Sequence, residues 1–155
     1  MFVPHRAQYP PLRPEPEDPR LLELQVSDPA KADLLLCGIP FDGAVLGRKG
    51  AAGGPTAVRE ALRYLATHDP DLDTDLGQLR WHDLGDVQLT DPSGPDVLAA
   101  HKAVLDTLSP AARLGKPLVA IGGDNSLSFP LFQALQAANP GSWGVVILDA
   151  HYDVR

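Results

Sequence analysis

The sequence predicts an α/β fold built on a parallel sheet, and three observations carry that expectation. Short apolar runs at 33–40, 81–87, 117–122 and 143–149 have the length and β-branched or aromatic content of strands. The segments between them place apolar residues three and four positions apart, the spacing of a helix with one buried stripe. Strands and helices alternate along the chain, which gives right-handed βαβ units. In such sheets ligands bind beyond the carboxyl ends of the strands. The loops after 33–40, 117–122 and 143–149 are therefore expected on one rim.

Composition narrows the class before any motif is read. The chain has 155 residues, 44% of them apolar and 21% charged, enough for one domain with a real core. A net charge of −7 without a Lys/Arg cluster argues against a nucleic-acid or anionic-membrane partner. Cys37 is the single cysteine, so no internal disulfide forms and a reducing compartment is the default. The N-terminus lacks the apolar core of a secretory signal, and no apolar run reaches the roughly 20 residues that span a bilayer. The expectation is a soluble, cytoplasmic protein.

Residues 1–30 hold prolines at 4, 10, 11, 14, 16, 19 and 29. Proline fixes φ and removes a donor, so this stretch reads as an extended arm laid over the domain or a partly disordered tail. Within it, Arg20 to Val26 has the composition of one helical turn or a short strand. The domain proper is expected over 31–155. Its first strand, Asp33 to Pro40, is continuously apolar, as in a strand covered on both faces.

A glycine-rich loop comes next, with Pro55 suited to the first turn of a helix whose apolar stripe is Val58, Ala61, Leu62 and Leu65. Neither GxGxxG nor GxxxxGK[ST] stands in strand–helix context there, so the loop is not read as a nucleotide cradle. Asp42, Arg48 and Lys49 are read as loop residues rather than substrate contacts. The alternating aspartates 69, 71, 73 and 75 lack the glycine and glutamate of a calcium loop in either register, which leaves a solvated loop.

Trp81 to Val87 is the second strand. Asp96 then opens a helix with Val97, His101, Val104 and Leu108 on its buried stripe, flanked by Leu98 and Leu105. His101 has no partner at ligand spacing and is read as structural. Pro110 bends or ends this helix, and Gly115 stops any helical continuation beyond it. Pro117 to Gly122 leads into Gly123-Asp124-Asn125-Ser126 and a helix carrying Leu131, Leu135 and Ala138.

The last run, Val145 to Leu148, delivers Asp149, His151 and Asp153. Alternate side chains of a strand share a face. Three oxygen or nitrogen donors converging at a strand end suit a divalent metal; the alternative is a strand end with solvated charges, since Asp and His are common at surfaces. The rim rule brings them to Gly123–Ser126.

These segments together resemble the ureohydrolase family, which includes arginase, agmatinase and formimidoylglutamase. Gly122-Gly123-Asp124-Asn125-Ser126 is similar to the family's GGDHS, and Asp149-Ala150-His151-Tyr152-Asp153-Val154-Arg155 to its DAHxDx(R/N/T). Gly38-Ile39-Pro40-Phe41-Asp42, the segment Gly50 to Arg59, and Asp83-Leu84-Gly85-Asp86 resemble GxPxD, GxxxGPxxxR and DxGD. The matches stand in the family's order and cover 33–155. Arg155, two residues after Asp153, looks most like the formimidoylglutamase branch.

The resemblance implies a three-layer α/β/α fold with a parallel sheet, truncated after about four strands: the N-terminal half of the family's fold. It implies a manganese-dependent hydrolase of guanidino or formimino C–N bonds with two metal ions bridged by hydroxide. N-formimino-L-glutamate, as in histidine degradation, is the favoured substrate; agmatine or another amidino compound is the alternative. Asp149 would bridge both metals, His151 and Asp153 would each hold one, and Asp124 would orient a ligand. A metal pair about 3.5–4 Å apart supplies a nucleophile at neutral pH. Asn125 replaces the usual histidine, a weaker ligand at one metal position. The proton-transfer histidine is expected beyond Arg155, which leaves no catalytic residue of that kind in these residues. A degenerate, non-catalytic relative is the reading from a different class. The family also implies a homo-oligomer for a full-length protein.

Overall fold

A computed structural model describes residues 1–5, 13 and 18–150. A four-stranded sheet lies at its centre. β1 (Phe2–Val3), β2 (Leu34–Gly38), β5 (Trp81–Val87) and β6 (Leu118–Ile121) line up in the order β1-β5-β2-β6. β2 is parallel to both β5 and β6, whereas β1 runs antiparallel to β5. The three expected strands at 33–40, 81–87 and 117–122 are thus present and parallel. β3 (His68–Asp69) and β4 (Thr74–Asp75) form a separate exposed hairpin inside the aspartate-rich loop.

β1 was not expected from the sequence. A two-residue strand beside Pro4 has no periodicity to read, yet it closes one edge of the sheet. Phe2 faces Val87, Gln88 N–H donates to the Met1 carbonyl, and the α-amino group donates to Thr107 Oγ1 at 2.8 Å. Of the helical turn or short strand expected within 20–26, the structure has the turn, Leu21–Leu24, of the 3₁₀ type. The indole N–H of Trp81 donates to the Leu21 carbonyl at 2.8 Å and ties that turn to β5.

Alternation along β2 divides the core in two. Cys37, with Ile39 and Phe41 beyond it, packs against Val87, Val104, Leu108, Leu127 and Ala134, under α2 (Val97–Ala112) and α3 (Ser128–Ala138). Leu36 points the other way, to Leu24 and Trp81, with Leu62 at the end of α1 (Gly54–Ala61) beside them. Helices therefore cover both faces, the three-layer arrangement expected. Burial pushes the Cys37 thiol up to about 12, so it stays protonated and inert inside the sheet.

Two helices differ from their expected patterns. α1 buries Pro55 and Arg59, while Val58 and Leu65, expected on the apolar stripe, lie largely exposed. The reason is electrostatic. Arg59 is only 4% exposed and its guanidinium grips Asp83 through Nε (2.7 Å) and Nη2 (2.8 Å), and Asp86 through Nη1 (2.5 Å). The helix rotates to satisfy that fork rather than to bury its most apolar side. In α2, Pro110 lies inside the helix, which continues to Ala112 before Gly115 turns the chain at φ +66°. Val104 and Leu108 are fully buried as expected. His101 is partly buried against Phe129, and its Nε2 has no hydrogen-bond partner among the described residues.

The bulge in β5 explains how two aspartates meet one arginine. Asp83 and Asp86 are an odd number of residues apart, so in a regular strand they would face opposite sides. The pairing Leu36↔Asp83, Gly38↔Asp86 spends three steps on β5 against two on β2. That extra residue restores both carboxylates to the α1 side. Gly85 sits in the bulge at φ +89°, and a Cβ there would lie 2.2 Å from the Val3 carbonyl oxygen. Only glycine fits.

The run expected as the last strand, 143–149, is not one. Its backbone is irregular and its residues are exposed. A strand is stabilised by backbone partners and by cover on its apolar faces, and Val145 to Leu148 are all largely exposed. Trp143 is the exception, since it packs edge-on against Phe132 and donates to the Asn139 carbonyl at 2.9 Å. It fixes the turn after α3, not a sheet position. No described helix is long and apolar enough to cross a membrane.

Candidate metal centre

Two loops at the carboxyl ends of β2 and β6 build the rim. The first, after β2, is anchored by Asp42. This side chain is 1% exposed, and its Oδ2 accepts from the N–H groups of Gly50 (2.6 Å) and Ala52 (3.2 Å), its Oδ1 from Ser93 Oγ (2.6 Å). Lys49 Nζ donates to the Ser93 carbonyl. Asp42 is thus a buried clamp on the glycine-rich loop, a role more definite than the loop residue the sequence suggested. The signal was its position directly after an apolar strand and before three loop glycines.

The second loop, Gly122 to Ser126, is tied to the first. Asp124 N–H donates to the Phe41 carbonyl at 2.9 Å, and Asp124 Oδ2 accepts from Ala44 N–H at 2.9 Å. Its Oδ1 accepts from Ser126 N–H (3.0 Å) and Ser126 Oγ (2.6 Å), capping the turn that leads into α3. The carboxylate of Asp124 is therefore engaged with backbone and hydroxyl groups, and it holds in register the loop that presents Asn125.

Asn125 is exposed on the rim, and its Oδ1 accepts from Ser128 Oγ at 3.2 Å. A cavity of about 390 Å³ opens here, lined by Gly122, Gly123, Asn125 and Ser128, and Asp149 reaches it from the far end of the apolar run. The structure so brings two of the expected site residues, Asn125 and Asp149, to one cavity beside Asp124. His151 and Asp153 lie outside the described residues. Among the described residues no group of three or more His, Cys, Asp or Glu is arranged to hold a metal ion. Asn125 and Asp149 are both oxygen donors, which fits a hard divalent cation. A second cavity of about 310 Å³ beside α1 is lined by Arg59, Arg63 and Trp81. Its guanidiniums are engaged by Asp83, Asp86 and Glu60, so its charge serves the fold.

The Asp42 clamp makes a pH prediction. The Ser93 hydroxyl, then the Gly50 N–H, hold its carboxyl below the ordinary value of 3.8, against the opposing effect of burial. Because the folded value lies below the unfolded one, this stabilisation is complete above the unfolded value and is lost as pH falls through the folded one. Asp42→Asn is expected to make the acid limb of the stability profile shallower below about pH 4 and to speed amide exchange at Gly50 and Ala52. Stability profiles of the two proteins that coincide through that range would refute the assignment.

A mixed sheet whose three longer strands are parallel, with helices on both faces and a cavity beyond the end of β6, defines the class: an α/β protein. Comparison with known proteins places it further. The Arginase family matches residues 32–155, and the chain belongs to that family. It is 43% identical over 129 residues to the formimidoylglutamase of Halobacterium salinarum, covering 83% of this chain and 40% of that one. It is 32% identical over 136 residues to an agmatinase of Pyrococcus horikoshii, covering 86% and 45%. The crystal structure of Trypanosoma cruzi formiminoglutamase with Mn2+ superposes with a TM-score of 0.78 at 33% identity, over 89% of this chain and 46% of that one. The chain spans less than half the length of these relatives.

Proposed function

We propose that these residues form the first half of a metal-dependent site that hydrolyses the formimino C–N bond of N-formimino-L-glutamate. The observation that carries the reading is the cavity at the end of β6, which Asn125 and Asp149 both line. In the hydrolysis, water adds to the formimino carbon, the bond to the glutamate nitrogen breaks, and that nitrogen takes a proton. Glutamate and formamide result. Mn2+ held by Asp149, His151, Asp153 and Asn125 would activate the water and polarise the amidine.

The chain's own part is positioning. Asp124 fastens the loop after β6 to the loop after β2, and Asp42 clamps the glycine-rich loop, so Asn125 is presented from a fixed rim. Gly122 and Gly123 bring backbone rather than side chains to the cavity wall. Asn125 contributes a neutral oxygen where a histidine would contribute an imidazole, and neutral amide oxygen is the weaker donor to manganese. Asn125→His is therefore expected to tighten Mn2+ binding by roughly tenfold or more, on the scale that changes around metal ligands produce. Equal affinity in a titration of both proteins would mean that residue 125 is no ligand, and would favour the non-catalytic alternative.

Similarity to agmatinases supports a second substrate, agmatine. The deciding assay uses a protein carrying this chain together with the rest of the family's fold, loaded with Mn2+. A kcat/KM at least tenfold higher on N-formimino-L-glutamate than on agmatine is the expected result. A preference for agmatine would overturn the substrate, and inactivity on both would overturn the proposed hydrolysis.

A further inference from the structure

The loop after β2 carries the cations of the rim. Lys31, Arg80 and Lys116 lie just ahead of β2, β5 and β6 and so stand at the opposite ends of the strands. Among the described residues, only Arg48 and Lys49 belong to a loop at the strand ends where Asn125 and Asp149 line the cavity. Both ends of that loop are pinned to the cavity wall. Ala44 N–H donates to Asp124 Oδ2 at 2.9 Å, and a Cβ on Gly54 would lie 3.0 Å from the Gly122 carbonyl oxygen. Gly122 and Asp124 both line the cavity, so Arg48 stands on the span between two anchors on its wall.

The two cations differ in what holds them. Lys49 Nζ donates to the Ser93 carbonyl. Arg48 is exposed and makes no hydrogen bond or ion pair among the described residues. The aspartates bonded to this loop are already engaged, Asp42 with Gly50, Ala52 and Ser93, and Asp124 with Ala44 and Ser126. The chain has 20 acids against 13 bases, yet this arginine at the cavity rim has no carboxylate of its own. It is placed to take one that a ligand brings.

We propose that Arg48 determines specificity at this site: it pairs with a carboxylate of the substrate and discriminates against cationic amines. N-formimino-L-glutamate brings two carboxylates beside the group that is hydrolysed, whereas agmatine brings an ammonium at its far end. A planar guanidinium takes a carboxylate through two parallel N–H bonds and repels an ammonium. Gly47 and Gly50 flank the two cations, and a Cβ at either would meet nothing within 4 Å, so the approach to Arg48 is open. Arg48, a loop residue by its sequence alone, gains this role from the two anchors. For the choice of substrate the inference rests on the proposed hydrolysis.

The test uses the Mn2+-loaded protein of the substrate assay, with Arg48→Ala, Arg48→Lys and Lys31→Ala beside it. Calorimetry reads the binding of L-glutamate, which keeps both carboxylates, and of diaminobutane, the amine that agmatine would leave. Arg48→Ala should weaken L-glutamate binding and raise KM for N-formimino-L-glutamate, each roughly tenfold or more, with the loss in KM rather than kcat. Diaminobutane binding should not weaken. Arg48→Lys should regain part of the loss, because it keeps the charge but not the fork. Lys31→Ala removes the same charge from the opposite strand ends and should change neither property. No L-glutamate binding, or binding that Arg48→Ala leaves as it was, would overturn the proposal and return Arg48 to a solvated loop. Equal losses for both ligands would also overturn it, as the mark of a disturbed loop. Arg48-dependent binding of L-glutamate in a protein that does not hydrolyse N-formimino-L-glutamate would strike the hydrolysis and leave the carboxylate site standing.

Discussion

Replacing Arg59 by leucine is expected to destabilise the fold by about 3–5 kcal/mol, the cost of stranding buried charge when one partner of a buried pair is removed. The side chain of Arg59 is 3% exposed and those of Asp83 and Asp86 are 9% and 23% exposed, so water does little to replace the lost guanidinium. Burial is the largest single influence on Arg59 and pulls its pKa down, but its hydrogen bonds to both carboxylates and their charges outweigh it and raise the pKa overall. The arginine therefore stays charged through any accessible pH. Arg59→Lys should also lose stability, because a point ammonium cannot span three carboxylate contacts from one planar fork. Urea unfolding of the three proteins decides the matter. A loss below about 1 kcal/mol for Arg59→Leu, the scale of an exposed pair, would show that the cluster is a surface ornament.

Gly123→Ala is the second large effect. An added Cβ would lie 2.0 Å from the Phe41 carbonyl oxygen and 2.8 Å from its carbon, both backbone atoms that have no room to swing aside. The bond from Asp124 N–H to the same carbonyl must then lengthen or break. The cost expected is about 1–3 kcal/mol, as for other added methyl groups in packed places. The more telling consequence is local: the loop carrying Asn125 moves relative to Asp149, so Mn2+ affinity should fall along with stability. Ala substitution at Gly53, where a Cβ meets nothing within 4 Å, is the control that should change neither property much.

Two of the sheet's three parallel strands, β2 and β6, were legible as dense apolar runs between breakers, and β5 as a short segment opened by Trp81. The rim was legible for the same reason, since parallel strands place their succeeding loops together. What the sequence hid was polar. An apolar-stripe rule assigns α1 by Val58 and Leu65, but a buried arginine with two aspartates turned the helix the other way. DxGD reads as a motif until the bulge at Gly85 gives its physical sense, two carboxylates an odd distance apart aimed at one cation. β1 was invisible because two residues have no period. The run 143–149 has every local mark of a strand yet is not one here, because pairing is decided by neighbours and not by composition. Of the candidate site, Asn125 and Asp149 line one cavity, although the rim rule that anticipated this took 143–149 for a strand, and Asp124 fastens the loop after β6 to the loop after β2.

The measurement that bears most directly on the account is a calorimetric titration of the 155-residue chain with Mn2+, alongside Asp149→Ala. Both proteins should first match in their far-ultraviolet circular dichroism, because Asp149 lies outside the helices and strands. The account predicts saturable binding that weakens at least tenfold in Asp149→Ala. Binding of equal strength in the two proteins, or none in a folded chain, would contradict a metal centre at the end of β6.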